Sequence, residues 1–178
     1  MHTRKGRMEQ MHNRHDEFAA KDGQGTKKGP ETDKLSESPA WLQDRLKYLY
    51  DKNPHVSLLR MKVAEVRVGG AALTMPVVRE LHGNLYGMVH GGALASLADT
   101  AMGVACASTG RRVVTLDMNI NYLAAAGEGE TVRAAAEVVH GGKSTVVVEC
   151  EMTDTAGRLL AKARGTFFVI GQFESAED

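Results

Sequence analysis

Asp99 lies in the middle of residues 90–108, where most positions are apolar: Ala93, Leu94, Leu97, Ala98, Ala101, Met102, Val104, Ala105 and Cys106. An ionised carboxylate in such surroundings is costly unless it is paired or its pKa rises. No Lys or Arg stands three or four residues to either side of it. A helix-edge Asp bonded to Ser96, Thr100 or water would satisfy this pattern. Isolated carboxylates are also enriched at active sites, and that reading is favoured. The chemistry of Asp99 would then be that of a general base or a nucleophile.

A second cluster precedes it: Asn84, Gly87, His90, Gly91 and Gly92. His90-Gly91-Gly92 stands where a loop enters the apolar helix. The first turn of a helix has unpaired N–H groups and a partial positive charge. Glycine there lets a ligand oxygen approach the backbone closely. Fixed N–H dipoles aimed at developing negative charge make an oxyanion hole. Close helix–sheet packing would equally explain Gly91 and Gly92, and helix capping or a core role would explain His90. From His90 to Asp99 the helix rises roughly 13 Å and turns a net half turn. Asp99 and the Gly91 N–H therefore face different sides of one helix and cannot share one carbonyl within a chain. If both act, Asp99 meets Gly91 of a second subunit, and a two-fold dimer holds two sites.

The elements that must position these groups follow from periodicity. Trp41, Leu42, Leu46 and Leu49 after Ser38-Pro39 describe a short amphipathic helix that ends at Asn53-Pro54. Residues 58–68 and 71–78 are β-rich and flank Gly69-Gly70, which reads as a hairpin. A loop spans 79–89. Residues 90–108 form a helix that is apolar on nearly every face and so buried on all sides, with Gly110 suited to its stop. Four further strands are expected at 112–123, 130–140, 144–153 and 159–170, separated by glycine-containing turns. Consecutive hairpins would make the sheet antiparallel. The fold class is α+β: a curved antiparallel sheet wrapped around one long buried helix, with a second copy able to cover what the sheet leaves open.

Composition narrows the function classes. Apolar residues make up 43% of the 178, which is enough for a core, and Lys+Arg and Asp+Glu balance at 22 each. No basic face or stripe suggests nucleic acid, and neutrality permits self-association. Cys106 and Cys150 sit in apolar runs and read as buried thiols of a reducing compartment. Neither has partners at disulfide or metal spacing, so no metal site is expected. No stretch approaches a membrane span, and the charged N-terminus does not read as a secretory signal. The expected location is cytoplasmic. Residues 1–36 are charged and read as a flexible tail, 37–173 as the folded domain, and 174–178 as an acidic C-terminal tail.

Asn84-Leu85-Tyr86-Gly87-Met88-Val89-His90-Gly91-Gly92, followed by Ser96-Leu97-Ala98-Asp99-Thr100-Ala101, resembles the signature of hotdog thioesterases of the PaaI-like, phenylacetate-degradation type. Asp117-Met118-Asn119-Ile120-Asn121-Tyr122 is similar to the next strand in that family and in the human thioesterase superfamily members. The resemblance spans about 58–170. It implies a hotdog fold and an acyl-CoA thioesterase that needs no cofactor, since coenzyme A is part of the substrate. It implies roles for matching positions: Asp99 as base or nucleophile, Asn84 holding water or the thioester carbonyl, His90 orienting that loop or the carbonyl. It also makes the Gly91 N–H the oxyanion donor and gives Thr115 the hydroxyl that places the water. In relatives the turn equivalent to His140-Gly141-Gly142-Lys143-Ser144 borders the CoA cleft. Gly92, Gly141, Gly142, Lys143 and Ser144 are therefore the substrate-binding candidates, with Arg111, Arg112 and Arg164 as further cations. A plain hairpin turn with solvated charges explains the same residues. The expected assembly is a homodimer with shared active sites, extended to a dimer of dimers, a homotetramer. A non-catalytic acyl-CoA sensor would not need Asp99. A dehydratase of this fold would carry a Phe-Pro-Gly-like stretch after its His, which is absent. A DNA-binding relative would need a helix-turn-helix module.

Overall fold

The computed structural model describes residues 40–173. The expected tails, 1–36 and 174–178, lie outside the described residues. Helix α1 (Ala40–Asp51) buries Leu42 and Leu46, four apart on one face, against Ala107. Asn53 ends this helix and caps the next: its Oδ1 accepts from the N–H groups of His55 and Val56 at 2.9 and 3.3 Å. Helix α2 (Pro54–Leu58) follows with Pro54 in its first turn. The strand expected from residue 58 begins only at Lys62, because the chain first turns at Arg60, whose φ of 51° is left-handed.

The sheet is antiparallel throughout. It contains β1 (Lys62–Arg67), β2 (Gly70–Pro76), β3 (Arg111–Tyr122), β4 (Thr131–Gly141), β5 (Thr145–Thr153) and β6 (Leu159–Gln172). A one-turn helix, α3 (Arg79–His82), interrupts the expected loop, and α4 (Gly91–Ala107) is the long helix. Spatial order is β1-β2-β4-β5-β6-β3. The run of consecutive hairpins expected after the helix therefore breaks at its first member. β3 does not pair with β4 but crosses the sheet to lie beside β6, a Greek-key order. Residues 123–130, where the turn Gly127-Glu128-Gly129 is expected to join neighbouring strands, are the crossover. Backbone bonds hold them to their neighbours: Val89 N–H donates to Ala126 O at 2.9 Å, and Leu123 N–H to Leu160 O at 2.8 Å.

α4 contacts β2, β3, β4, β5 and β6, so the sheet wraps the helix as the hotdog reading requires. Leu97, Ala98, Ala101, Met102, Val104 and Ala105 are fully buried. Burial on all sides is not realised. Gly92, Ala95, Ser96, Asp99 and Gly103, which share one face of the helix, form a stripe that stays partly open. These are the small and polar residues of the helix, so this face has little apolar surface to hide. The outer face of the sheet carries cross-strand ion pairs, among them Glu65 with Arg133 at 2.8 Å and Glu149 with Arg164 at 2.8 Å. The outer edge of β1 lies against α1, whereas β3 has a neighbour on one side only, with Val114, Leu116 and Tyr122 exposed.

Candidate active site

Two clefts flank β3, one at each end. The first, a cavity of about 240 Å³, is lined by Asp99, Thr100 and Gly103 of α4, Thr115 of β3, and Tyr50 and His55 of the N-terminal helices. The Thr115 hydroxyl donates to Asp99 Oδ1 at 2.7 Å. Thr100 is not the partner of the carboxylate, because its hydroxyl donates to Ser96 O at 2.8 Å. The pairing of β3 with β6 shifts register between Thr115 and Asp117. The bulge at Leu116 re-aims the strand there, as bulges beside active sites do. Asp99 is half-buried with a single protein donor among the described residues, which leaves its other oxygen open to the cleft.

The second cleft, about 420 Å³, is lined by Asn84, Met88, Gly91, Leu94 and Tyr122, among others. Asn84 Oδ1 accepts from the N–H groups of Tyr86 and Met88 at 2.8 and 3.1 Å. This Asx turn fixes the amide, so its Nδ2 is the end free to donate to a ligand. His90 is the N-cap of α4, and its Nδ1 accepts from the Gly92 N–H at 2.8 Å. With Nδ1 an acceptor, the proton of the neutral ring sits on Nε2. A Cβ on Gly92 would stand 3.0 Å from His90 Nδ1, so this glycine also makes room for the cap. The N–H groups of Ala93 and Leu94 turn back onto His90 O. Among the described residues the Gly91 N–H is thus the one donor of this first turn left for a ligand. The Tyr122 hydroxyl donates to Gly91 O at 2.9 Å, and its ring would lie 3.1 Å from a Cβ on Gly91.

The sequence-predicted residues therefore fall into two groups. Asp99 and Thr115 share one cleft, and Asn84 and Gly91 share the other, with His90 and Gly92 at its helix cap. The turn of Gly141, Gly142, Lys143 and Ser144 lines neither. There the Gly142 N–H donates to Thr145 O at 2.8 Å, and the Val169 N–H to Ser144 O at 2.9 Å. Arg111 reaches over this turn, with its Nη1 2.7 Å from where a Cβ on Gly141 would sit. That nitrogen is buried and has no hydrogen-bond partner among the described residues.

Three contributors escaped the sequence reading. His82 is 1% exposed: its Nδ1 accepts from the Val78 N–H at 3.0 Å, its Nε2 donates to Leu59 O at 2.9 Å, and its carbonyl accepts from the His90 N–H at 2.6 Å. It anchors both ends of the Asn84 loop. Tyr122 reaches Gly91 only because β3 ends beside the helix start. Tyr50 reaches the Asp99 cleft only because the end of α1 comes close to Gly103 of α4. Tyr122 stood in the sequence only as the last residue of the family-like strand, and nothing in the type of His82 or Tyr50 said what either would contact. Cys106 and Cys150 are buried free thiols, and burial pushes each up to about 12. Among the described residues no group of three His, Cys, Asp or Glu side chains is placed to hold a metal ion. No helix there is long and apolar enough to cross a membrane.

Known proteins resemble this chain in sequence and fold. The thioesterase superfamily profile matches residues 86–161, from the Asn84 loop to the start of β6. The chain is 33% identical to the acyl-coenzyme A thioesterase PaaI of Escherichia coli, over 69% of this chain and 87% of that one. The solved structure of the E. coli PaaI protein superposes with a TM-score of 0.69 at 31% identity, covering 74% of this chain and 97% of that one. A hypothetical thioesterase of Streptococcus pneumoniae, solved with coenzyme A, superposes at 0.62 with 36% identity, covering 64% and 91%. The streptococcal thioesterase has also been solved with an Asp replaced by Ala, and separately with a Thr sixteen positions further on replaced by Ala.

Proposed function

The chain belongs to the PaaI-like hotdog thioesterases, and from that premise we propose that it hydrolyses an acyl-CoA to the free acid and coenzyme A at a site shared by two copies. The observation that carries the reading is the Thr115 hydroxyl bonded to the Asp99 carboxylate on the open stripe of α4, sixteen positions apart as in the streptococcal pair. Asp99 takes a proton from a water molecule as its oxygen bonds to the thioester carbon. The oxygen of the carbonyl gains negative charge, and the Gly91 N–H and Asn84 Nδ2 donate to it. The C–S bond then breaks, and the proton held by Asp99 passes to the departing thiolate. Direct attack by Asp99, followed by hydrolysis of the anhydride, uses the same groups.

The free edge of β3 supports the shared site. Thr115 and Tyr122 are seven residues apart on one strand, roughly 23 Å, too far to serve one carbonyl. In an antiparallel pair of β3 strands centred between Met118 and Asn119, Thr115 of one copy stands opposite Tyr122 of the other. Each Asp99 cleft then faces an Asn84 and Gly91 cleft, twice per dimer. Such pairing also covers an exposed edge that would otherwise invite uncontrolled association. The tetramer is a further association of two such dimers. The CoA phosphates are assigned to the turn of Gly141, Gly142, Lys143 and Ser144, with the unpaired Arg111 Nη1 beside it.

The test is hydrolysis of a panel of acyl-CoAs, followed by free-thiol release. Wild-type protein turns over at least one of them, and Asp99→Asn lowers kcat by about a thousandfold or more with an unchanged circular dichroism spectrum. Binding without hydrolysis by the wild type, or full activity of Asp99→Asn, would overturn the reading.

A further inference from the structure

The Asp99 cleft extends beyond the carboxylate, and its far wall comes from the N-terminal helices. Gly103 lies one turn of α4 after Asp99, roughly 6 Å along the axis. The Tyr50 hydroxyl stands 3.7 Å from where a Cβ on Gly103 would be. That hydroxyl has no hydrogen-bond partner among the described residues, and the residue is partly buried. Burial pushes Tyr50 up to about 12, so it keeps its proton and is a donor at neutral pH. Asn53 lines the same cavity, and its Oδ1 is already taken by the α2 cap, which leaves its amide to donate as well. Val56, Val113 and Phe167 also line this cavity, as does the exposed His55. An acyl group whose carbonyl sits at Asp99 would pass along apolar walls for about one helical turn and then meet donors. Asn53 is exposed and keeps water as a partner, but a hydrocarbon end packed against the partly enclosed Tyr50 would take water from its hydroxyl and give nothing in return, which costs about as much as a lost hydrogen bond.

The geometry points to Tyr50 as the residue that reads the remote end of the acyl group, selecting short acyl chains that end in an oxygen function over hydrocarbon chains of the same length. This rests on the proposed thioesterase reading and adds to it a substrate class and the residue that sets it. The experiment measures kcat and KM with two pairs of substrates, butanoyl-CoA against 4-hydroxybutanoyl-CoA and hexanoyl-CoA against 6-hydroxyhexanoyl-CoA. Within each preparation the ratio of kcat/KM cancels any loss of folded protein. Wild type favours the hydroxylated member of at least one pair. Tyr50→Phe, which removes one oxygen atom, lowers that ratio about tenfold, mainly through KM. Gly103→Ala places a methyl in front of the hydroxyl and lowers the ratio of six-carbon to four-carbon hydrolysis. Unchanged ratios in both variants, with hydrolysis intact, would overturn the inference and leave the thioesterase reading standing. A wild type that hydrolyses no acyl-CoA of the full panel would overturn both.

Discussion

Asp99 and Thr115 show what single residues disclose and what they hide. The oddity of Asp99 is visible in sequence because a carboxylate among Leu97, Ala98, Ala101 and Met102 breaks the helix pattern. Its hydrogen-bond partner is not visible from the helix: the sequence offers Ser96 and Thr100, and the structure uses Thr115 from a strand. The resemblance alone brought Thr115 into view. His82 is the converse case, a residue with no readable role that holds the Asn84 loop by both ring nitrogens. Replacing it by Phe keeps the bulk but leaves Leu59 O and the Val78 N–H without partners. His82→Phe should therefore lose roughly 3 kcal/mol of unfolding free energy in urea titration. A loss under 0.5 kcal/mol would show that solvent readily reaches both groups.

Among the elements, the helices and most strands were legible because their periods and breakers agree. The placement of β3 was not. A glycine turn after an apolar strand reads the same whether the next strand is its neighbour or lies across the sheet. Only the crossover bonds to Val89 and Leu160 tell the two apart. The bend before β1 was hidden for a similar reason: residues 58–61 look β-prone, and nothing in Arg60 announces a left-handed conformation. For an L side chain that conformation costs about 1–2 kcal/mol, part of which glycine returns through the entropy of its unfolded chain. Arg60→Gly should therefore stabilise the protein, by up to about 1 kcal/mol. A lower thermal midpoint in that variant would mean that the Arg60 side chain contributes more than its backbone costs.

At the scale of the whole molecule, the candidate site residues fall in two clefts at opposite ends of one strand. The helix arithmetic of the sequence pointed to this separation, and β3 explains it in distance. If each site draws on two chains, damage in one cleft can be complemented from the other. Inactive Asp99→Ala and inactive Asn84→Ala, mixed and allowed to exchange subunits, form mixed dimers half the time. Each mixed dimer has one intact site of two, so about a quarter of wild-type activity should return. No recovery, with exchange demonstrated by tagged subunits, would place each site within a single chain. The sealed cysteines carry a last consequence. Each turnover would liberate coenzyme A, a sulfhydryl compound that oxidises to its disulfide and exchanges with accessible protein sulfur. Cys106 and Cys150 stay protonated and enclosed, so the catalyst is shielded from covalent capture by its own product. Intact-mass measurement after incubation with CoA disulfide should find the native chain unmodified, and the urea-unfolded chain carrying adducts.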